Sequence, residues 1–309
     1  MTNIRDIAKE SGYSVATVSR VVNNSGYASK KARKTVNSII KKRNYKQNSI
    51  ARSLSLGKTK VIGLVIQDTV QGYYLKLMKG AVKESFELGY QLLILQSDYQ
   101  QEKELSFLKM LQKKAIDGLI FTSHSLSLKK IMGYMKYGRI VICHDPKESA
   151  IAAVYTNRKN TYVKAFKWMR ERKISKIGLA LGRSREESYS TRMALEAFNF
   201  VFGDLGCDAL VKLNAITYED GYKFGREFQN VEGILTSSDD VAAGMYQYFV
   251  DENIKVPVLV GQDCQTSGKI LKLPSINHNL EKVGENAVKL LVLDENKRVL
   301  IKSSFEVNN

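Results

Sequence analysis

The chain has 309 residues, 44% of them hydrophobic, enough to bury the cores of two domains. Its formal net charge is +17, and residues 1 to 60 hold 14 of the 48 Lys and Arg against only Asp6 and Glu10, a net of +12 that leaves +5 for the other 249 residues. No apolar run reaches the roughly 18 residues that cross a bilayer, and Cys143, Cys207 and Cys264 are odd in number with no CxxC, which excludes a disulfide framework and a zinc site of ordinary spacing.

The basic N-terminal fifth fits a small module that faces phosphates beside a larger, nearly balanced body. A merely solvated basic tail would lack the periodic apolar positions found here. Asn3 followed by Asp6 supplies a capping side chain and a carboxylate at the start of a helix over Ile4 to Lys9. Ser11-Gly12 marks a turn, and Ser14 caps a second short helix in which Val15, Val18, Val21 and Val22 recur at helical spacing. Those valines form its packing face, so Ala16, Thr17, Ser19, Arg20 and Asn23 occupy the other. This is the outline of a helix-turn-helix, with Arg20 able to make a bidentate contact to guanine and Ser14 able to hold a phosphate at a helix start. Ser29 opens a third helix, with Ala32, Val36, Ile39 and Ile40 inward and lysines outward.

From Tyr45 the composition turns polar, through Lys-Gln-Asn-Ser-Ile-Ala-Arg-Ser-Leu-Ser-Leu-Gly-Lys. This stretch is too short to be helical alone and reads as a hinge that orders on meeting DNA and a partner chain. Gly57-Lys58-Thr59 does not complete a phosphate loop, because Arg52 stands where the Walker pattern needs glycine.

Beyond Lys60, apolar runs at Val61–Ile66, Leu92–Leu95, Gly118–Thr122, Ile140–His144, Ile177–Ala180, Gly233–Thr236 and Val258–Gly261 alternate with helical stretches near 74–88, 102–114, 127–137, 160–172, 189–203, 219–230 and 240–252. Such alternation predicts parallel sheets covered by helices on both faces. Seven strands, with a weaker region around 146 to 158, predict two similar lobes whose ligand cleft lies outside the carboxyl ends of the strands.

The segments Asp6-Ile-Ala-Lys9, Ser14-Val-Ala-Thr-Val-Ser-Arg-Val-Val-Asn23, Asn48-Ser-Ile-Ala-Arg-Ser-Leu54, Gly57-Lys-Thr-Lys-Val-Ile-Gly63 and Ser238-Asp-Asp-Val-Ala-Ala-Gly244 make the chain resemble the LacI/GalR family of bacterial transcription repressors over essentially its full length. The resemblance implies an all-α helix-turn-helix headpiece plus an α/β periplasmic-binding-protein-like core of two doubly wound lobes. It implies domains at 1–46 (headpiece), 47–58 (hinge helix) and 59–309 (core), with an N-lobe near 59–153 plus 279–295 and a C-lobe near 154–278 plus 296–309. Val15, Ala16 and Arg20, with Thr17 nearby, stand where family members read bases, and Ser14, Ser19 and Asn23 stand among phosphate contacts. Asn48, Ala51 and Leu54 match the hinge helix, Leu54 as a wedge between central base pairs and Ala51 where two hinge helices approach. Gln47 replaces the usual hinge proline. In the core, Asp68, Tyr73, Asp145, Arg192, Ser238 and Asp263 are the implied effector contacts. Ile216 replaces a frequent stacking aromatic, and Gln71-Gly-Tyr-Tyr74 replaces a familiar turn.

Each of these residues also has a plain structural role open to it. Arg192 suits a surface ion pair, Asp145 and Asp263 suit helix caps, Leu54 suits core, and Tyr73 suits lobe packing. His124, His144 and His278 are scattered along the chain, without metal spacing. The expectation is a cytoplasmic, homodimeric, sequence-specific DNA-binding regulator, a repressor, that binds a pseudo-palindromic operator under control of a sugar-like small molecule. It uses no cofactor, metal or membrane and catalyses no reaction. The alternative is a cytoplasmic solute-binding or sugar-modifying protein without operator binding. The opening residues lack an export signal, and the C-terminal stretch lacks the heptads of a tetramer.

Overall fold

Asn3 begins the first helix, α1 (Ile4–Ser11), as expected: its side chain accepts from the backbone N–H groups of Arg5 and Asp6 while the Asp6 carboxylate accepts from its own, a complete capping box. The helix stops at Gly12, whose φ of 71° is the left-handed conformation that glycine adopts without a Cβ penalty. Ser14 caps α2 (Val15–Val22) and Ser29 caps α3 (Lys30–Lys42). Ile7, Val18 and Val36 are fully buried at the centre of this small core, with Ala8, Val21 and Ile39 around them. Val15 departs from the expected packing face. It is 44% exposed, beside exposed Ser14 and Ala16, while Val18 and Val21 of the same helix are buried and Tyr13 packs against the core in its place.

The computed structural model describes residues 3–45, 57–147, 149–205, 207 and 209–307. They fall into two units, one ending at Thr59 and the other beginning at Lys60. The hinge positions Asn48, Ala51 and Leu54 lie outside the described residues.

In the second unit the chain runs β1 (Val61–Ile66), α4 (Gly72–Glu87), β2 (Gln91–Gln96), α5 (Gln101–Gln112), β3 (Gly118–Phe121), α6 (Leu128–Met132), β4 (Arg139–Ile142) and β5 (Ala152–Thr156). It continues through α7 (Arg158–Glu171), β6 (Ile177–Ala180), α8 (Tyr189–Phe202), β7 (Leu210–Lys212), α9 (Tyr218–Gly225), β8 (Gly233–Thr236), α10 (Asp239–Asp251), β9 (Val258–Gln262), α11 (Thr266–Ile270) and β10 (Ser275–Asn277). It closes with α12 (Leu280–Val292), β11 (Arg298–Ile301) and β12 (Ser304–Glu306).

Two six-stranded sheets result, ordered β11-β5-β4-β3-β1-β2 and β12-β10-β9-β8-β6-β7. Every strand pair is parallel except β10 with β12. In each sheet the first strand of its lobe has the second on one side and the third, fourth and fifth on the other, so the winding direction reverses beside β1 and beside β6. That is where a crevice opens at the carboxyl ends of the strands. Gly80 and Gly284 let α4 and α12 cross closely over the first sheet: a Cβ on Gly80 would lie 1.9 Å from the Glu281 carbonyl oxygen, and one on Gly284 2.0 Å from that of Leu77. Gly221 and Gly244 do the same for α9 and α10 in the second lobe.

All seven expected strands form, and β5, β7, β10, β11 and β12 join them. The lobe limits shift accordingly. β5 runs on to Thr156 and β11 pairs with it in the first sheet, so the expected cut at 153/154 falls inside a strand and residues 298–301 belong with the N-lobe. The physical reason is that β11 completes the edge beside β5 before the chain returns to the second sheet at β12. The chain thus passes between the lobes three times, near 157, 278 and 302, and these crossings are tied together. Asn279 donates to the Lys302 carbonyl at 2.7 Å, Thr161 bonds Ser303 through their hydroxyls, and Arg158 meets His278 at 3.1 Å.

Candidate functional site

In the first unit the candidate surface is the outward face of α2. The Ser14 hydroxyl accepts from Thr17 N–H at 3.2 Å and lies 3.0 Å from the Thr17 hydroxyl, so both side chains sit at the helix's positive end. Ser14, Val15, Ala16 and Arg20 are exposed, while Asn23 turns back to donate to the Ser19 hydroxyl at 3.1 Å. Arg33 holds the following loop through the Asn24 side-chain oxygen, 2.8 Å away, and the carbonyls of Gly26 and Ala28. Arg43 pairs with Glu10 at 2.8 Å, fastening the end of α3 to α1.

In the second unit a cleft of about 650 Å³ lies at the carboxyl ends of the strands. Tyr73, Asp145, Arg192 and Asp263, far apart in the chain, all line it. Asp263 is 5% exposed, and its Oδ1 has no hydrogen-bond partner among the described residues. Burial pushes its carboxyl up to about 6, against the pull of Arg158 and Lys76. A ligand hydroxyl donated to that oxygen would remove a desolvation cost of about 1–3 kcal/mol. Tyr73 packs under the Arg158 guanidinium, 5.3 Å from ring centroid to Cζ, and burial pushes its phenol up to about 12. Arg192 donates to the carbonyls of Arg185 and Glu186 at 3.0 and 3.2 Å, which fixes the loop before α8. Asp145 accepts from Lys147 N–H at 2.9 Å.

Two expected contacts sit elsewhere. Asp68 does not line the cleft: its carboxylate accepts from the backbone N–H groups of Val70 and Gln71, both at 3.0 Å, and from the Gln71 amide, so the turn into α4 consumes it. Ser238 caps α10 through Val241 N–H and lines an adjoining hollow of about 210 Å³, which also touches Tyr73 and Asp263. The neighbouring Asp239 is structural. Fully buried, it accepts from Gln265 N–H at 2.6 Å and the Ser275 hydroxyl at 2.7 Å, which anchors the loop that carries Asp263. Burial raises its carboxyl to about 7.

The cleft also contains residues not expected from sequence. Arg158 comes from the first crossing, and Arg183 stacks its guanidinium 3.8 Å from the centre of the Tyr99 ring. His124 and His144, scattered in sequence, are neighbours here, with Nε2 atoms 2.7 Å apart. The only local signal is their position: His144 closes the run Ile140–His144 and His124 follows the run Gly118–Thr122 by two residues, where a parallel strand delivers its next side chains to the cleft.

A three-helix unit presenting a capped, outward-facing second helix, and a two-lobed α/β unit with a polar cleft at its strand ends, define a DNA-binding regulator with a periplasmic-binding-protein-like core. Residues 3–48 match the family described as bacterial regulatory proteins, lacI family, and residues 59–267 match the periplasmic binding proteins and sugar binding domain of the same family. Catabolite control protein B of Bacillus subtilis (strain 168) is 30% identical over 313 residues, covering 99% of both chains. Among solved structures, the lac repressor dimer bound to operator and the anti-inducer ONPF superposes with a TM-score of 0.83 at 17% identity over 98% of this chain and 97% of that one. A transcriptional regulator CelR–cellobiose complex superposes at 0.69 and 19% identity, over 99% of each chain. The chain belongs to the lacI family of bacterial regulatory proteins. Membership across both units supports a DNA-binding regulator, and not the alternative of a solute-binding or sugar-modifying protein without operator binding. Among the described residues no helix is long and apolar enough to cross a membrane.

Proposed function

We propose that the chain represses transcription in the cytoplasm by binding a pseudo-palindromic operator as a homodimer, and that a sugar-like molecule in the cleft sets its operator affinity. The observation that carries this reading is the co-occurrence of the lacI headpiece and the lacI sugar-binding core in one chain. In this reading Val15, Ala16, Thr17 and Arg20 read base edges, Ser14, Ser19 and Asn23 contact phosphates, and Asn48, Ala51 and Leu54 act in the minor groove. The exposure of Val15 and Arg20 supports it. In the cleft, Tyr73, Asp145, Arg192 and Asp263 contact the ligand, with Ser238 at its margin, and we drop Asp68 from this set. The cleft binds without turnover, as the relatives are regulators.

A second copy has a surface to meet. Leu75, Val82 and Phe86 on α4 and Leu93 and Ile94 on the edge strand β2 are exposed, and the second lobe repeats the pattern with Leu210 and Val211 on its edge strand β7 and Tyr218 and Tyr222 on α9. Fluorescence anisotropy with the intergenic DNA beside its own gene tests the function. Binding at physiological salt well above that to scrambled DNA is expected, and equal binding to both would sink the reading.

A further inference from the structure

The facing nitrogens of His124 and His144 pose a problem of proton accounting. The other nitrogen of each ring is already committed, with His124 Nδ1 2.6 Å from the Leu126 carbonyl oxygen and His144 Nδ1 3.1 Å from that of Asp145. A carbonyl oxygen only accepts, so both Nδ1 atoms carry hydrogen. Two neutral rings protonated there turn two bare Nε2 lone pairs toward each other at 2.7 Å, a repulsive contact. One added proton converts it into an N–H···N hydrogen bond and gives the dyad one positive charge.

The surroundings decide when that proton arrives. His124 extends from the loop after β3 and His144 from the end of β4, and both line the cleft. Arg183, from the loop before α8, and Arg192, on α8, act on them electrostatically from the second lobe, and Asp145 from the first. The Arg183 guanidinium lies 3.5 Å from the Ser123 hydroxyl, next to His124. Beneath this loop, Glu104 of α5 is occupied in accepting from Ser125 and Leu126 N–H. Burial holds His144 down to about 4 and His124 below its ordinary range, and the arginines add to that effect. An anion placed among them reverses the balance, since each cation that repels the proton attracts the anion.

We propose that the His124–His144 dyad, with Arg183 and Arg192, is a subsite for an oxyanion, the phosphate or carboxylate of a sugar-like ligand, and that the anion enters with one proton. This rests on reading the cleft as the effector site, and it commits that site to a charged effector. The aliphatic Ile216 that lines the cleft is consistent with it, because recognition then leans on charge more than on ring stacking.

The test is calorimetric titration of the full chain, without DNA, with glucose, glucose 6-sulfate, glucose 6-phosphate and glucuronate, at pH 6, 7 and 8 and in two buffers of unequal ionisation enthalpy. The sulfate ester does not titrate in this range, so any proton exchange on its binding belongs to the protein. Anionic probes are expected to bind at least about tenfold tighter than glucose, with uptake approaching one proton at pH 7 to 8 and affinity gaining up to about tenfold per unit fall in pH. A preference for the phosphate or for the carboxylate identifies the source of the oxyanion. In His144→Gln, with folding checked by its melting temperature, proton uptake and pH dependence should vanish. Should that variant not fold, nitrogen-15 spectra of the wild-type rings supply the readout, with both dyad Nε2 signals moving together when the sulfate ester is added. Glucose binding as tightly as the anions, no anion binding at millimolar concentration, pH-independent anion affinity, or uptake that survives in His144→Gln would each overturn the proposal. Any of these leaves the repressor reading intact, since that reading is decided by the separate operator titration.

Discussion

Arg20 stands on the exposed face of α2 and makes no ion pair among the described residues, so its guanidinium is available for a partner outside the chain. Arg20→Ala is expected to lower discrimination between operator and scrambled DNA by about 1–3 kcal/mol while changing non-specific affinity far less. Parallel anisotropy titrations decide this, and equal losses on both DNAs would assign Arg20 to phosphate. Asp263 makes a second prediction at this scale. Its folded pKa of about 6 lies above the value of about 4 it has when unfolded. A carboxyl raised in this way favours the folded state most below its unfolded pKa, and that contribution is lost as pH climbs from about 4 through about 6. Asn resembles the protonated acid. Asp263→Asn should therefore leave the melting temperature nearly unchanged at pH 4.5 and raise it by a few degrees at pH 8, while weakening ligands that donate a hydroxyl there. A variant less stable than wild type at pH 8 would contradict the assignment.

Among the elements, the crossing of α4 with α12 is the contact most sensitive to a single atom. Gly80→Ala would drive a methyl into the backbone of Glu281, which cannot yield as a flexible side chain does, and a loss of about 2–4 kcal/mol is expected. Gly203, at the end of α8 with helical φ and ψ and open space around it, is the matched control: Gly203→Ala should be neutral or stabilising by up to about 1 kcal/mol. Urea unfolding of the two variants separates a steric cause from a general intolerance of alanine. A further dependence links elements to the site, because α10 reaches the cleft through the buried Asp239 and the loop it anchors.

At the level of the whole molecule, the exposed apolar strip on α4 and β2 is expected to close against a second copy. Phe86, 84% exposed on α4, has no evident use in an isolated chain. Phe86→Glu combined with Ile94→Lys should shift sedimentation from dimer toward monomer. Operator affinity should fall by roughly 10²–10⁴, since two half-sites held by one dimer gain from effective concentration. A double variant that stays dimeric would move the interface elsewhere.

Much of this was legible in local spacing. Asn3, Ser14 and Ser29 as caps, Gly12 as a stop, the seven strands β1 to β4, β6, β8 and β9, and the basic headpiece followed from patterns within a few residues of one another. Five strands were not. β7, β10 and β12 have three residues each, β5 carries Ala152 and Ala153 where a run of large apolar residues would signal a strand, and β11 alternates on an exposed edge. The helix α12 is weakly marked in sequence even with Leu280, Val283, Ala287 and Leu291 at helical spacing, since Gly284 lowers its intrinsic propensity and packing against α4 sustains it.

The cleft divides along the same line. Local order in the chain specifies which residues end the parallel strands, because apolar runs and helix periods repeat over short distances. It does not specify which of those ends meet. Asp68 turned inward to its own loop, His124 and His144 came together across 20 residues, and Arg158 reached His278 across 120. Such pairings depend on the winding of two sheets and on three returns of the chain between them, so they exist only once the long-range packing has formed.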